Sequence, residues 1–102
     1  MKSTKTLSSA TESAAIPVDM LQNPFAVSFA VVITGTCTYT VQHTLDNIFD
    51  LSVTPTWFDH SYVAGETTNQ DGNYAFPVRG IRLKVSAYTS GTATITVLQG
   101  SS

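Results

Sequence analysis

Charge is what this chain has least of. Only 12% of its 102 residues are Asp, Glu, Lys or Arg, about half the share usual in soluble domains. Seven acids against five bases leave a formal net charge of −2, so no basic field exists to neutralise nucleic acid phosphates, and direct DNA or RNA binding is disfavoured. Cysteine is nearly absent as well: Cys37 stands alone, cannot close a disulfide within the chain, and is expected as a small buried hydrophobe. With no cysteine framework and no Asn-X-Ser/Thr acceptor, the marks of a small secreted eukaryotic domain are missing. Long apolar runs are missing too. Phe25 to Ile33 is nine residues long and contains Ser28, whereas a membrane helix needs about 20. Lys2 and Lys5 are followed by Thr, Ser and Ala rather than by an apolar run, so no secretory signal is expected.

What the chain does have is alternation. Cys37, Tyr39, Val41, His43 and Leu45 interleave with Thr36, Thr38, Thr40, Gln42 and Thr44. Successive side chains on a strand point to opposite faces, so a period of two builds one apolar wall and one hydroxyl-coated wall. The pattern recurs where Ile81, Leu83, Val85 and Ala87 alternate with Arg82, Lys84, Ser86 and Tyr88, and where Thr92, Thr94 and Thr96 alternate with Ala93, Ile95 and Val97. Phe25, Val27, Phe29, Val31 and Ile33 form the face of a further, heavily buried strand. Six to eight short strands at this spacing predict an all-β fold, an antiparallel β-sandwich or jelly-roll-like single domain.

Boundaries follow from the breakers. Residues 1–15 are Ser-, Thr- and Ala-rich with little apolar material to offset the entropy of ordering, and are expected as a flexible N-terminal arm before a sandwich domain over 16–102. Ile16 to Leu21 reads as an extended leader, and Asn23-Pro24 as a break. Thr34-Gly35 and Ser90-Gly91 are expected to close hairpins. Asp71-Gly72-Asn73 is expected as a tight turn and Gly80 as a bulge or close-approach point. Asp46 to Pro55 reads as a crossing segment with a strand over Leu51 to Thr54.

Few constellations carry chemistry. Asp59-His60-Ser61 offers a carboxylate, an imidazole and a hydroxyl, but strand neighbours point to opposite faces and catalytic triads assemble from distant segments, so no catalysis is expected there. His43 and Cys37 lie six positions apart on one strand, roughly 20 Å, too far to share a metal. Asp46, Asn47 and Asp50 lack the spacing of a calcium loop and read as a turn. Trp57, Phe58, Tyr62, Tyr74, Phe76 and Tyr88 could build an aromatic platform for sugars; Trp57, Phe58 and Phe76 are expected in the core instead. Tyr88 falls in a polar register, with Arg82 and Lys84 beside it.

The stretches Thr56-Trp57-Phe58-Asp59-His60, Asp71-Gly72-Asn73-Tyr74-Ala75-Phe76-Pro77-Val78-Arg79-Gly80-Ile81-Arg82-Leu83 and Ala87-Tyr88-Thr89-Ser90-Gly91-Thr92 resemble small structural proteins of tailed bacteriophage virions. The resemblance implies a non-enzymatic virion part without cofactor or metal. Its favoured form is a capsid decoration or cement protein, a homotrimer on the major capsid protein or other virion proteins, assembled in the bacterial host cytoplasm. Arg79, Arg82, Lys84 and Tyr88 are the expected partner-binding residues. The alternative is a glycan- or receptor-binding module of a fibre or spike, using Tyr62, Tyr74 or Tyr88.

Overall fold

The computed structural model describes residues 2–21, 25–50 and 52–99. Asn23-Pro24 and Leu51 lie outside them. Among the described residues there is no helix, and the β-branched and aromatic runs form six antiparallel strands: β1 (Lys2–Leu7), β2 (Ile16–Pro17), β3 (Val27–Thr44), β4 (Trp57–Asp59), β5 (Gln70–Tyr74) and β6 (Gly80–Gln99). The all-β, antiparallel, single-domain expectation holds.

Two strands dominate. β3 and β6 are 18 and 20 residues long and pair along their whole length, from Val27↔Gln99 to Thr44↔Gly80. β1 and β5 flank the half of this ribbon that contains Val27, and β2 and β4 flank the half that contains Thr44. The halves are folded onto each other: Tyr74 of β5 lies 5.0 Å from His43 of the other half, ring centre to ring centre, and Phe29 lies 5.0 Å from His60, just after β4. Val27, Phe29, Val31, Ile95 and Val97 from one half and Cys37, Tyr39, Val41, Ile81, Leu83 and Val85 from the other form one buried cluster. Each such side chain contributes about 1.5–3 kcal/mol by leaving water, so the paired faces hold the sandwich shut. Cys37 is buried, as its register predicts.

The expected hairpins at Thr34-Gly35 and Ser90-Gly91 do not form; both dipeptides lie inside the long strands. Gly35 pairs with Gly91, and both have φ of +81°, a conformation glycine adopts without penalty. A Cβ on Gly35 would stand 2.5 Å from the Ser90 carbonyl oxygen, and one on Gly91 would overlap the Thr34 carbonyl. The two backbones meet too closely for any other residue. Just beyond, the register shifts between Thr36 and Cys37 and again between Thr38 and Tyr39, leaving Thr89 and Ser86 of β6 as extra residues. One bulge would turn every following side chain to the opposite face. Two restore it, so that outside the short stretch between the bulges odd-numbered residues of both strands pair with one another and face inward.

Other turn signals are overturned in the same way. Asp71-Gly72-Asn73 is part of β5, because Gly72 sits opposite Phe29 and a Cβ there would come 2.7 Å from its ring. The missing side chain is filled by the aromatic one across the pair. Gly80 is a close-approach point, 3.2 Å from Ile48 to a Cβ position. Residues 52–54 form no strand. The arm expected over 1–15 contains β1, paired with β6 from Lys2↔Leu98 to Leu7↔Ala93, and Ser13 donates its backbone N–H to the Leu83 carbonyl at 2.8 Å. Composition missed this because the main-chain ladder and threonine hydroxyl pairs, not buried apolar area, hold the segment. Thr6 and Thr94 lie 3.0 Å apart, oxygen to oxygen.

The hydroxyl-coated wall of β3 is partly covered. Thr40, Gln42 and Thr44 are buried, and each finds a partner. Thr40 Oγ1 accepts from the Gly65 N–H, Thr44 Oγ1 accepts from the Asp46 N–H, and Gln42 bridges Arg82 and Asp59 at 2.8 Å on both sides. A buried polar group left unpaired would cost about 1–3 kcal/mol, and among the described residues none is left so.

Candidate functional site

Aromatic side chains collect where the two half-sheets open at the end of β3. His43 points inward but lies beyond the main core. Its ring stacks against Phe58 of β4 at 6.1 Å and meets the edges of Tyr74 at 5.0 Å and Phe76 at 5.9 Å. His43 Nδ1 and the Tyr74 hydroxyl are 2.9 Å apart. Burial, seconded by the nearby His60, holds the His43 imidazole below its ordinary pKa, with Asp59 opposing. Burial likewise raises the Tyr74 hydroxyl.

His60 follows β4 and is buried. Its Nε2 faces the Asn73 carbonyl at 3.1 Å and its Nδ1 faces the Tyr62 N–H at 3.1 Å. A carbonyl only accepts and an amide N–H only donates, so the ring is held as the Nε2–H tautomer with both nitrogens engaged. Asp59 accepts from Gln42 rather than from His60. Asp59, His60 and Ser61 therefore do not form a nucleophilic relay. His60 and Tyr74 pack edge to face at 5.0 Å and form the wall of a cleft.

That cleft has a volume of about 210 Å³ and is lined by His43, His60, Ser61, Tyr62, Asn73, Tyr74, Ala75 and Phe76. Tyr62 is 85% exposed and Phe76 is 53% exposed. Phe58 is 54% exposed beside them. The expectation of Phe58 and Phe76 in the core is corrected: the core closes mainly on smaller aliphatic residues, Phe58 sits on the short edge strand β4 and Phe76 on the segment after β5, both at the margin of the sheet. Tyr74 is moved the other way. Offered by sequence as a sugar-facing ring, it is 1% exposed and belongs to the core.

A larger concavity, about 540 Å³, lies on the outer face of β5, β3 and β6 between Asp71, Asn73, Ser28, Ala30, Thr96 and Leu98. Its only ring is that of Phe29, which is buried beneath Gly72, so it offers no exposed aromatic surface. Asp46, Asn47 and Asp50 turn their side-chain oxygens to backbone N–H groups of Thr56, Phe49 and Ser52, which makes them turn formers. Among the described residues no group of three His, Cys, Asp or Glu is placed to hold a metal ion.

The four residues expected to meet a partner are spread over the molecule. Arg82 lies 4.4 Å over the Trp57 ring and donates from Nε to Gln42; burial lowers its pKa while Glu12 opposes. Lys84 stands across from Glu12 at an isolated bridge. Tyr88 donates its hydroxyl to the Gly91 carbonyl at 3.0 Å, at the bulged end of the ribbon. Arg79 lies at the opposite end, in a groove of about 180 Å³ with Val18, Met20, Leu21, Ile48 and Phe49. Sequence reasoning missed this apolar rim: Leu21 is 82% and Phe49 74% exposed. The available signal was the loss of alternation after Leu45, which marks apolar residues with no sheet to cover them.

No protein-family model matches the chain, and no curated protein matches it. Among solved structures it is similar to a chain from Bacillus endospore appendages, described as a novel family of disulfide-linked pili. The identity is 16% over 95% of this chain and 82% of that one, with a TM-score of 0.45. It is also similar to a family 16 carbohydrate binding module-2, at 14% identity over 93% and 72% of the two chains and a TM-score of 0.40.

Proposed function

We propose that this chain is a non-enzymatic recognition module, a structural part of a larger assembly that docks on a partner protein through the apolar rim at its open end. The observation that carries the reading is the exposure of Leu21 and Phe49 in one groove with Arg79, on a chain of low charge. Large apolar side chains grouped on a surface are costly in water and mark a contact. Following the resemblance to virion proteins, the assembly is a tailed-phage particle and the partner its major capsid protein, met by a homotrimer. A clamp that binds only the assembled shell stabilises it by mass action.

The test is particle stability. Particles depleted of the protein should lose their genome at a lower temperature; the native chain should restore them, and the double variant Leu21→Ser/Phe49→Ser should not. Unchanged heat stability on depletion would overturn the virion-clamp reading.

A further inference from the structure

We propose that the cleft between Tyr62 and Phe76 is a binding subsite for one neutral pyranose unit of a surface glycan. The proposal rests on the recognition-module reading but uses a different face, on the β4 and β5 side of the open end, whereas the apolar rim lies on the β2 side.

Three properties of the cleft select this occupant. First, its walls are rings with free area. Tyr62 and Phe76 are anchored by edge contacts to His60 at 6.2 Å and to Tyr74 at 5.6 Å, and most of each ring remains open to solvent. The negative face of an aromatic ring attracts polarised C–H groups, and a pyranose presents a flat face of such groups. Second, the rim carries a polar group. Ser61 is exposed and lines the cleft, and a hydroxyl both donates and accepts, which matches sugar hydroxyls. Third, the lining carries no Asp, Glu, Lys or Arg, and both imidazoles are tied to neutral partners. Nothing there compensates a ligand charge, so sialylated or sulfated sugars would lose solvation without gaining a counter-ion. At about 210 Å³ the space is smaller than the roughly 300 Å³ lower bound of drug-sized pockets, which matches a single ring rather than an extended chain. Neither Tyr62 nor Phe76 is needed to close the core, since both are more than half exposed.

The experiment is a glycan array probed with the labelled full chain, followed by NMR titration with the methyl glycoside of the best terminal sugar. Selective binding to neutral glycans is expected, with shifts at Tyr62, Asn73 and Phe76 and at least tenfold weaker affinity in Tyr62→Ala and Phe76→Ala. Leu98→Ala, in the outer concavity, is the control and should bind as the native chain does. The idea is overturned by an array with no neutral ligand, by selectivity for charged glycans, or by undiminished binding in both ring variants that retain the native circular dichroism spectrum. The rim variant Leu21→Ser/Phe49→Ser separates the readings: it should keep sugar binding while losing the particle, and loss of sugar binding alone would leave the docking proposal standing.

Discussion

Gly72 and Gly91 show how a missing side chain can specify a fold. At Gly72 a methyl group would press on Phe29, a buried ring with little room to yield. Overpacking of this kind costs about 1–3 kcal/mol, so Gly72→Ala should lower the unfolding free energy by that amount, seen as a lower urea midpoint with an unchanged slope. Gly91→Ala meets rigid backbone and a positive φ together. It should cost more than Gly72→Ala in the same measurement; equal or smaller loss would mean that the ribbon can open at its bulge. His43 makes a prediction about pH. Its imidazole is held below 6.5 by burial first and by His60 second. Between 6.5 and that lower value the unfolded chain binds more protons than the folded one, so stability is full above 6.5 and declines as pH falls through this window. Unfolding free energy should therefore be lower at pH 5.5 than at 7.5, and His43→Gln should flatten the difference. The Tyr39 hydroxyl is pushed up to about 12, by burial first and by Glu66 second, and it donates to the Thr68 carbonyl at 2.7 Å. It stays protonated throughout this range.

At the scale of elements, β1 is the exposed edge of its half-sheet. Every second side chain faces solvent, and only Leu7 reaches the core. Its lysines, Lys2 and Lys5, discourage another strand from pairing there, a protection that sheet edges commonly require. Removing residues 1–7 would uncover the backbone of β6 from Ala93 to Leu98, which has no such charges. The truncated chain should remain β-rich by circular dichroism yet associate as concentration rises in size-exclusion chromatography. A strictly monomeric truncation would show that the β6 edge is harmless without its cover. The loop after β3 behaves differently: it is built from short side-chain-to-backbone bonds by Asp46, Asn47 and Asp50, and it supports the apolar rim without joining the sheet.

The whole molecule is closed by long-range pairing at the ends of its ribbon. Val27 pairs with Gln99, and Gln99 also holds both backbone groups of Asp19, at 2.8 and 3.0 Å. The compact result has a radius of gyration of 13.2 Å, close to the roughly 13 Å of a 100-residue domain. Loop closure must precede most of the contacts that stabilise it, so folding should be slow for its size, in milliseconds to seconds, with a single phase in stopped-flow fluorescence of Trp57. Microsecond folding would contradict the long-ribbon topology.

Period-two alternation was enough to determine the all-β class, the burial of Cys37 and the inward set of β3 and β6, because a pleated strand assigns its own faces locally. It could not say whether a glycine turns the chain or lets two chains touch. Gly35, Gly91 and Gly72 look like turns in one dimension and are strand positions in three, since what distinguishes them is the atom across the pair. The aromatic residues were illegible for the same reason. Tyr74 lies inside and Phe58 and Phe76 outside because the two half-sheets close on the far side of His43, a decision made by residues up to 72 positions apart in the pairing of Val27 with Gln99. The open end, with its cleft and its rim, exists only once the ribbon has bent back on itself.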